Sequence, residues 1–166
     1  WNFEGPPAMV RAMTCHACVG FLLVASCALG GCGRPLDLPD GFTGTEQLEG
    51  EVGGTTEAYG WAHGCSGFVS AEPDHQVMNE GRLPYARIVA NGGSLDTSLI
   101  VQLPDGTFGC TDDDEGHHPI VEGSFPAGLM KIWVGVSQPS FVGPYHLVIS
   151  TDRATTASSL GDPAER

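Results

Sequence analysis

Apolar and polar positions alternate with a period of two along four stretches of the chain. In the first, Ala86, Ile88 and Ala90 alternate with Tyr85, Arg87 and Val89. In the second, which begins at Ser98, Leu99, Val101 and Leu103 share a face. Met130, Ile132, Val134 and Val136 line up in the third, with Lys131 and Trp133 opposite; Tyr145, Leu147 and Ile149 form the fourth. Successive side chains of a strand point to opposite faces, so each run predicts a half-buried β-strand. Turn-forming clusters separate them: Asn91-Gly92-Gly93, Pro104-Asp105-Gly106, Pro126-Ala127-Gly128 and Gly143-Pro144. Proline presets φ for a turn and glycine accepts φ > 0. Short strands at this spacing predict an all-β fold, an antiparallel β-sandwich of jelly-roll type, over residues 57–152.

The pattern changes on either side of that body. Residues 17–31 carry no charge and include Val19, Phe21, Leu22, Leu23, Val24 and Leu29. Fifteen residues fall short of a membrane span, which takes roughly 20. With Arg11 ahead of it, the stretch reads as the apolar part of a signal peptide, residues 1–31, with Met9 the expected start and residues 1–8 outside the translated chain. The competing reading, a buried apolar helix, is weakened by Gly20, Gly30 and Gly31. Residues 32–56 hold Pro35, Pro39, several glycines and the acids Asp37, Asp40, Glu46, Glu49 and Glu51, a composition expected of a tether. Residues 153–166 are small and polar and read as a disordered tail.

The end of the apolar stretch, Leu29-Gly30-Gly31-Cys32, resembles a bacterial lipobox. The resemblance implies cleavage before Cys32, a thioether-linked lipid on its sulfur and acylation, for example by palmitate, of the freed amine. The alternative is an ordinary signal peptide with an incidental cysteine. Several acyl chains, each CH₂ contributing about 0.8 kcal/mol on insertion, would anchor the chain to a membrane stably. Gly33 follows the cysteine, where an Asp favours inner-membrane retention in lipoproteins, so the outer membrane of the cell envelope is the favoured location.

Charge and cysteine count narrow the function. Twenty Asp and Glu against seven Lys and Arg give a formal net charge of −13, which repels phosphate backbones and argues against nucleic-acid binding. Six cysteines are present, and Cys15, Cys18 and Cys27 lie in the segment expected to be removed, so the Cys15-His16-Ala17-Cys18 spacing is not read as a redox or metal motif. Apart from Cys32, Cys65 and Cys110 remain, and in an exported chain such a pair suggests a disulfide. Two thiolates in a metal site are the alternative.

The order Asp96-Thr97-Ser98-Leu99, Pro104-Asp105-Gly106, Cys110-Thr111-Asp112-Asp113-Asp114, Pro126-Ala127-Gly128, Trp133-Val134-Gly135 and Pro144-Tyr145-His146-Leu147 resembles that of bacterial pre-peptidase C-terminal domains. Those are calcium-associated β-sandwiches related to collagen-binding domains. The resemblance runs from about Cys65 to Ser150. It departs at Leu129-Met130-Lys131, where the family commonly has a Tyr. It implies a sandwich that accompanies other exported activities and brings Asp96 near the acidic run.

That run, Asp112-Asp113-Asp114-Glu115, is the densest chemistry in the chain. Calcium takes six to eight oxygen ligands in flexible geometry. On a continued strand Asp112 and Asp114 would converge with Asp113 turned away, giving Asp96, Asp112 and Asp114 as the candidate calcium ligands. The spacing is not that of an EF-hand, and a contiguous acid run facing water is the simpler reading. His117-His118 follows and, with the acids, offers a transition-metal site through one of the two imidazoles. His63-Gly64-Cys65-Ser66-Gly67 lacks the second glycine of a hydrolase elbow, Phe68 standing there.

The expected function is therefore a lipid-anchored, non-enzymatic binding or accessory module outside the cytoplasm, its partner a protein, a glycan or an envelope polymer. The alternative is a small metal-dependent envelope hydrolase using His63, His117 or His118 with an acid.

Overall fold

The computed structural model describes residues 34–164. The signal segment and Cys32 lie outside the described residues.

Among the described residues, eleven strands form two sheets. The larger contains β1 (Leu36–Leu38), β3 (Thr56–Glu57), β4 (Phe68–Val69), β5 (His75–Asn79), β7 (Thr97–Gln102), β8 (Phe108–Thr111) and β10 (Gly128–Val136). Its axis is β10, which pairs antiparallel with β7 along one edge and with β5 and then β4 along the other. The smaller sheet runs β2 (Thr45–Val52), β11 (Gly143–Ser150), β6 (Leu83–Asn91) and β9 (Ile120–Phe125), every pair antiparallel. β1 pairs parallel with β5.

The alternating runs predict which residues fill the core. Ala86, Ile88 and Ala90 of β6, Leu99 and Val101 of β7, Met130, Ile132, Val134 and Val136 of β10, and Tyr145, Leu147 and Ile149 of β11 form one buried cluster between the sheets. The opposite faces bury separate clusters. Ile100 and Trp133, on the outer face of the larger sheet, pack with Ala58, Cys65 and Val69. Val89 and Val148, on the outer face of the smaller sheet, pack with Ile120 and Ala157.

Both flanks differ from their expected states. Residues 34–56 are built into the sandwich: Leu38 and Val52 are fully buried, and Leu36 and Leu48 pack against the same core. In β2 only every second position faces inward, so Glu49 and Glu51 point to water while the strand still pairs along its whole length with β11. Gly50 is part of the reason. It lies opposite Tyr145, and a Cβ there would overlap the phenol ring, so a residue that normally weakens a strand makes room for a core side chain.

The tail is likewise held, through residue 164. A 3-10 turn at Ala157–Leu160 lies over the smaller sheet. Asn91 Nδ2 donates to Ala157 O (3.1 Å) and Gly161 O (2.8 Å), Ala157 N donates to Glu115 Oε2 (3.0 Å), and His146 Nδ1 is 3.0 Å from Leu160 O. Small polar residues bury little of their own, but three distant side chains satisfy their backbone groups here.

Candidate functional site

Three features stand out on this frame. The first is the acidic connection between β8 and β9. β8 ends at Thr111, so residues 112–114 do not continue a strand and their side chains do not alternate. Asp114 closes the loop: its Oδ2 accepts from Thr111 Oγ1 and from Ile120 N (2.9 Å). Asp112 Oδ2 accepts from Ser66 Oγ (2.9 Å), and its Oδ1 from Asp113 N (3.0 Å). Glu115 reaches Arg87 (3.6 Å) and the tail.

Asp113, expected to turn away, is the acid that joins Asp96. Thr97 N and Oγ1 both donate to His117 O (3.3 and 3.1 Å), which fixes His117 beside the start of β7. His117 Nδ1 then lies 3.8 Å from Asp96 Oδ1 and 3.7 Å from Asp113 Oδ1. One ligand atom from each of Asp96, Asp113 and His117 falls within 4.8 Å of the others, the span of a small coordination sphere. Asp96, Asp112 and Asp113 also line a cleft of about 210 Å³ together with Ser66, Ser98 and Ser137. The structure thus brings Asp96 and Asp112 to one cleft, commits Asp114 to the backbone, and adds Asp113 and His117. His118 is half-buried, with its Nδ1 enclosed and unpartnered.

The second feature is the 58–67 connection between β3 and β4. Cys65 and Cys110 form a disulfide (S–S 2.00 Å) that ties it to β8. Trp61 packs edge-on against Trp133 at 5.2 Å between ring centroids and against Phe108 at 5.9 Å. The connection thereby covers the outer face of the larger sheet. His63 is exposed on it, and the Ser66 hydroxyl donates to a carboxylate rather than to an imidazole.

The third feature, Asp74 with His75 and Tyr145, is invisible as a motif because its members come from different sheets. Asp74 lies just before β5, where β5 has stopped pairing with β10 and β4 has not yet begun. Its Oδ2 accepts the Val134 N–H at 2.8 Å, filling the gap in the ladder. Burial drives its carboxyl up from the usual 3.8 to about 6, against the opposing pull of Val134 N–H and the Ser70 hydroxyl. Beside it, Tyr145 Oη and His75 Nε2 meet at 2.7 Å, a hydrogen bond joining the two sheets through the core. Burial lowers the His75 pKa, and burial together with the Asp74 charge raises that of Tyr145. Only Asp74-His75 adjacency is written in the sequence, and it carries no signal without the partner strand.

No family model matches the chain, and no curated protein matches it. Among solved structures, the pre-peptidase C-terminal domain of a collagenase from Bacillus anthracis is similar, with 13% identity over 70% of this chain and 98% of that one, at a TM-score of 0.40. PliG of Aeromonas hydrophila, a periplasmic inhibitor of g-type lysozyme, is similar with 16% identity over 70% of this chain and 96% of that one, at a TM-score of 0.36. Neither likeness carries a function, and the sandwich rests on its own two sheets. Among the described residues, no helix is long and apolar enough to cross a membrane.

Proposed function

We propose that the chain is an exported lipoprotein whose sandwich serves as a non-catalytic binding or accessory module in the cell envelope, anchored through lipid on Cys32. The observation that carries this reading is the Cys65–Cys110 disulfide, because such bonds persist in oxidising compartments and are rare in the cytosol. The uncharged 17–31 stretch ending at Leu29-Gly30-Gly31-Cys32 supplies the route out and the anchor. A lipid on Cys32 places the domain on a membrane surface, with the outer membrane favoured by Gly33. Its partner is a protein, a glycan or an envelope polymer.

Growth with a clickable fatty acid tests the anchor. Wild-type protein takes up label and the Cys32→Ala variant takes up none; an unlabelled wild type, or label that survives the substitution, overturns it.

A second reading adds a cation at the acidic loop. The support is the convergence of Asp96, Asp113 and His117, with Asp112 in the same cleft and Asp114 holding the loop closed. Calcium suits the carboxylates, and the imidazole favours a borderline metal such as zinc. A ligand that binds only the folded state at a hundred times its Kd stabilises by about 2.7 kcal/mol. The melting temperature therefore rises between chelator and millimolar calcium or zinc, and Asp113→Asn abolishes the rise. Melting curves that do not move with either ion remove this reading. The hydrolase alternative has less support, since Ser66 is committed to Asp112 and no base is positioned on it.

A further inference from the structure

The 58–67 connection has a chemistry unlike the rest of the chain. The chain carries a net charge of −13, yet this segment contains no Asp, Glu, Lys or Arg. Its conformation is fixed from below and within. The disulfide ties it at one end, and Trp61 is wedged against Trp133 and Phe108. Ala58 N donates to Gly67 O (3.0 Å), Trp61 N to Ala58 O (3.1 Å) and Cys65 N to Ala62 O (3.2 Å). Gly60 and Gly64 hold positive φ of 95° and 86°, so the chain turns sharply and keeps a low, side-chain-free profile.

With Trp61 spent on packing, Tyr59 is turned outward and is 81% exposed. It borders an open hollow of about 490 Å³ lined by Tyr59, Gly60, Ala62, His63, Gly64 and Cys65. That volume lies within the usual range for small-molecule sites, roughly 300–1,000 Å³. The hollow offers one aromatic face, one imidazole, one phenol hydroxyl and bare peptide groups.

We propose that this hollow binds neutral glycan chains, with the Tyr59 ring as the platform for a pyranose. The claim deepens the binding-module reading and rests on it. The C–H bonds of a pyranose face carry slight positive charge and suit the negative face of an aromatic ring. Its hydroxyls, at the ring edge, meet the polar groups that surround Tyr59: the His63 imidazole and the glycine backbone. A rigid loop loses little conformational freedom on binding, which favours an extended, weakly contacting ligand. Charge and size argue against the other occupants. A phosphate- or sulfate-bearing polymer meets no Lys or Arg in this segment, on a chain whose net charge of −13 repels it. A stable protein interface needs about 800 Å² per partner and several buried anchors, and Tyr59 is a single one.

The test uses the purified, disulfide-intact mature protein run through native gels containing dextran, laminarin, glucomannan or soluble starch, with dextran sulfate as the anionic control. At least one neutral polysaccharide retards the wild type. Tyr59→Ala weakens that binding tenfold or more, Tyr59→Trp preserves it, and neither changes the melting temperature, because the side chain is exposed. Free migration through every neutral gel, equal retardation of Tyr59→Ala, or retardation by dextran sulfate alone overturns the site. Such a result with fatty-acid labelling of Cys32 intact defeats the glycan claim while leaving the exported module standing.

Discussion

Replacing Cys65 and Cys110 together by Ser lowers the unfolding free energy of the domain by about 4 kcal/mol, read from urea melts of the double variant against the oxidised wild type. The cross-link closes a loop with a sequence separation of 45, and chain-entropy arguments assign about that much to a closed loop of this size. For a domain of this length the loss corresponds to a fall in Tm of about 15 °C. The structure adds a local consequence. The disulfide tethers the 58–67 connection over an aromatic cluster that contains Trp61 and Trp133. Without it the connection lifts more readily, and tryptophan emission shifts to the red below the global transition. A double variant as stable as the wild type, with unchanged emission, would show that Trp61 packing alone holds the connection down.

Asp74→Asn has the opposite sign at neutral pH. The folded chain holds the Asp74 proton up to a pKa of about 6, whereas the unfolded chain releases it near 3.8. Between those values the folded state binds more protons, so the stability contributed by this group is complete below 3.8 and declines as the pH rises to about 6. At pH 7 the buried anion costs on the order of 2–3 kcal/mol, at about 1.4 kcal/mol per unit of displacement. An Asn keeps the acceptor for Val134 N–H and carries no charge. The variant is therefore about 2–3 kcal/mol more stable than wild type at pH 7 and nearly equal to it at pH 4. Burial of His75 acts in the reverse sense: its lowered pKa makes stability fall as the pH drops below the ordinary 6.5. The difference between variant and wild type across a pH series isolates Asp74, since His75 is common to both. A difference that stays constant from pH 4 to pH 7 would contradict the buried-carboxylate account.

How much of this was legible in the chain follows from where each signal resides. Strands buried on one face announce themselves by alternation, so the core faces of β6, β7, β10 and β11 could be read residue by residue. Edge strands do not. In β2 the inward positions are Glu46, Leu48, Gly50 and Val52, and Gly50 is there to admit the Tyr145 ring. A stretch with two apolar residues and a glycine reads as a tether until its partner strand is known. The tail misled for the same reason, its order coming from Asn91, Glu115 and His146, between 14 and 70 residues away in sequence. At the acidic loop the residue types were visible but their directions were not. Alternation presumes a strand, and the chain leaves β8 at Thr111, so Asp113 rather than Asp114 meets Asp96. The Asp74, His75 and Tyr145 group needed two sheets to exist at all.

The most direct test of the whole account is the covalent state of the protein taken from its own cell. Cells are lysed into an alkylating reagent and the protein's peptides are weighed. The account predicts an N-terminal peptide beginning at Cys32 and carrying the mass of attached acyl chains, and a peptide pair joined through Cys65 and Cys110 with no alkylated form of either. Alkylated, unlinked Cys65 and Cys110 in a chain that still carries residues 17–31 would contradict it.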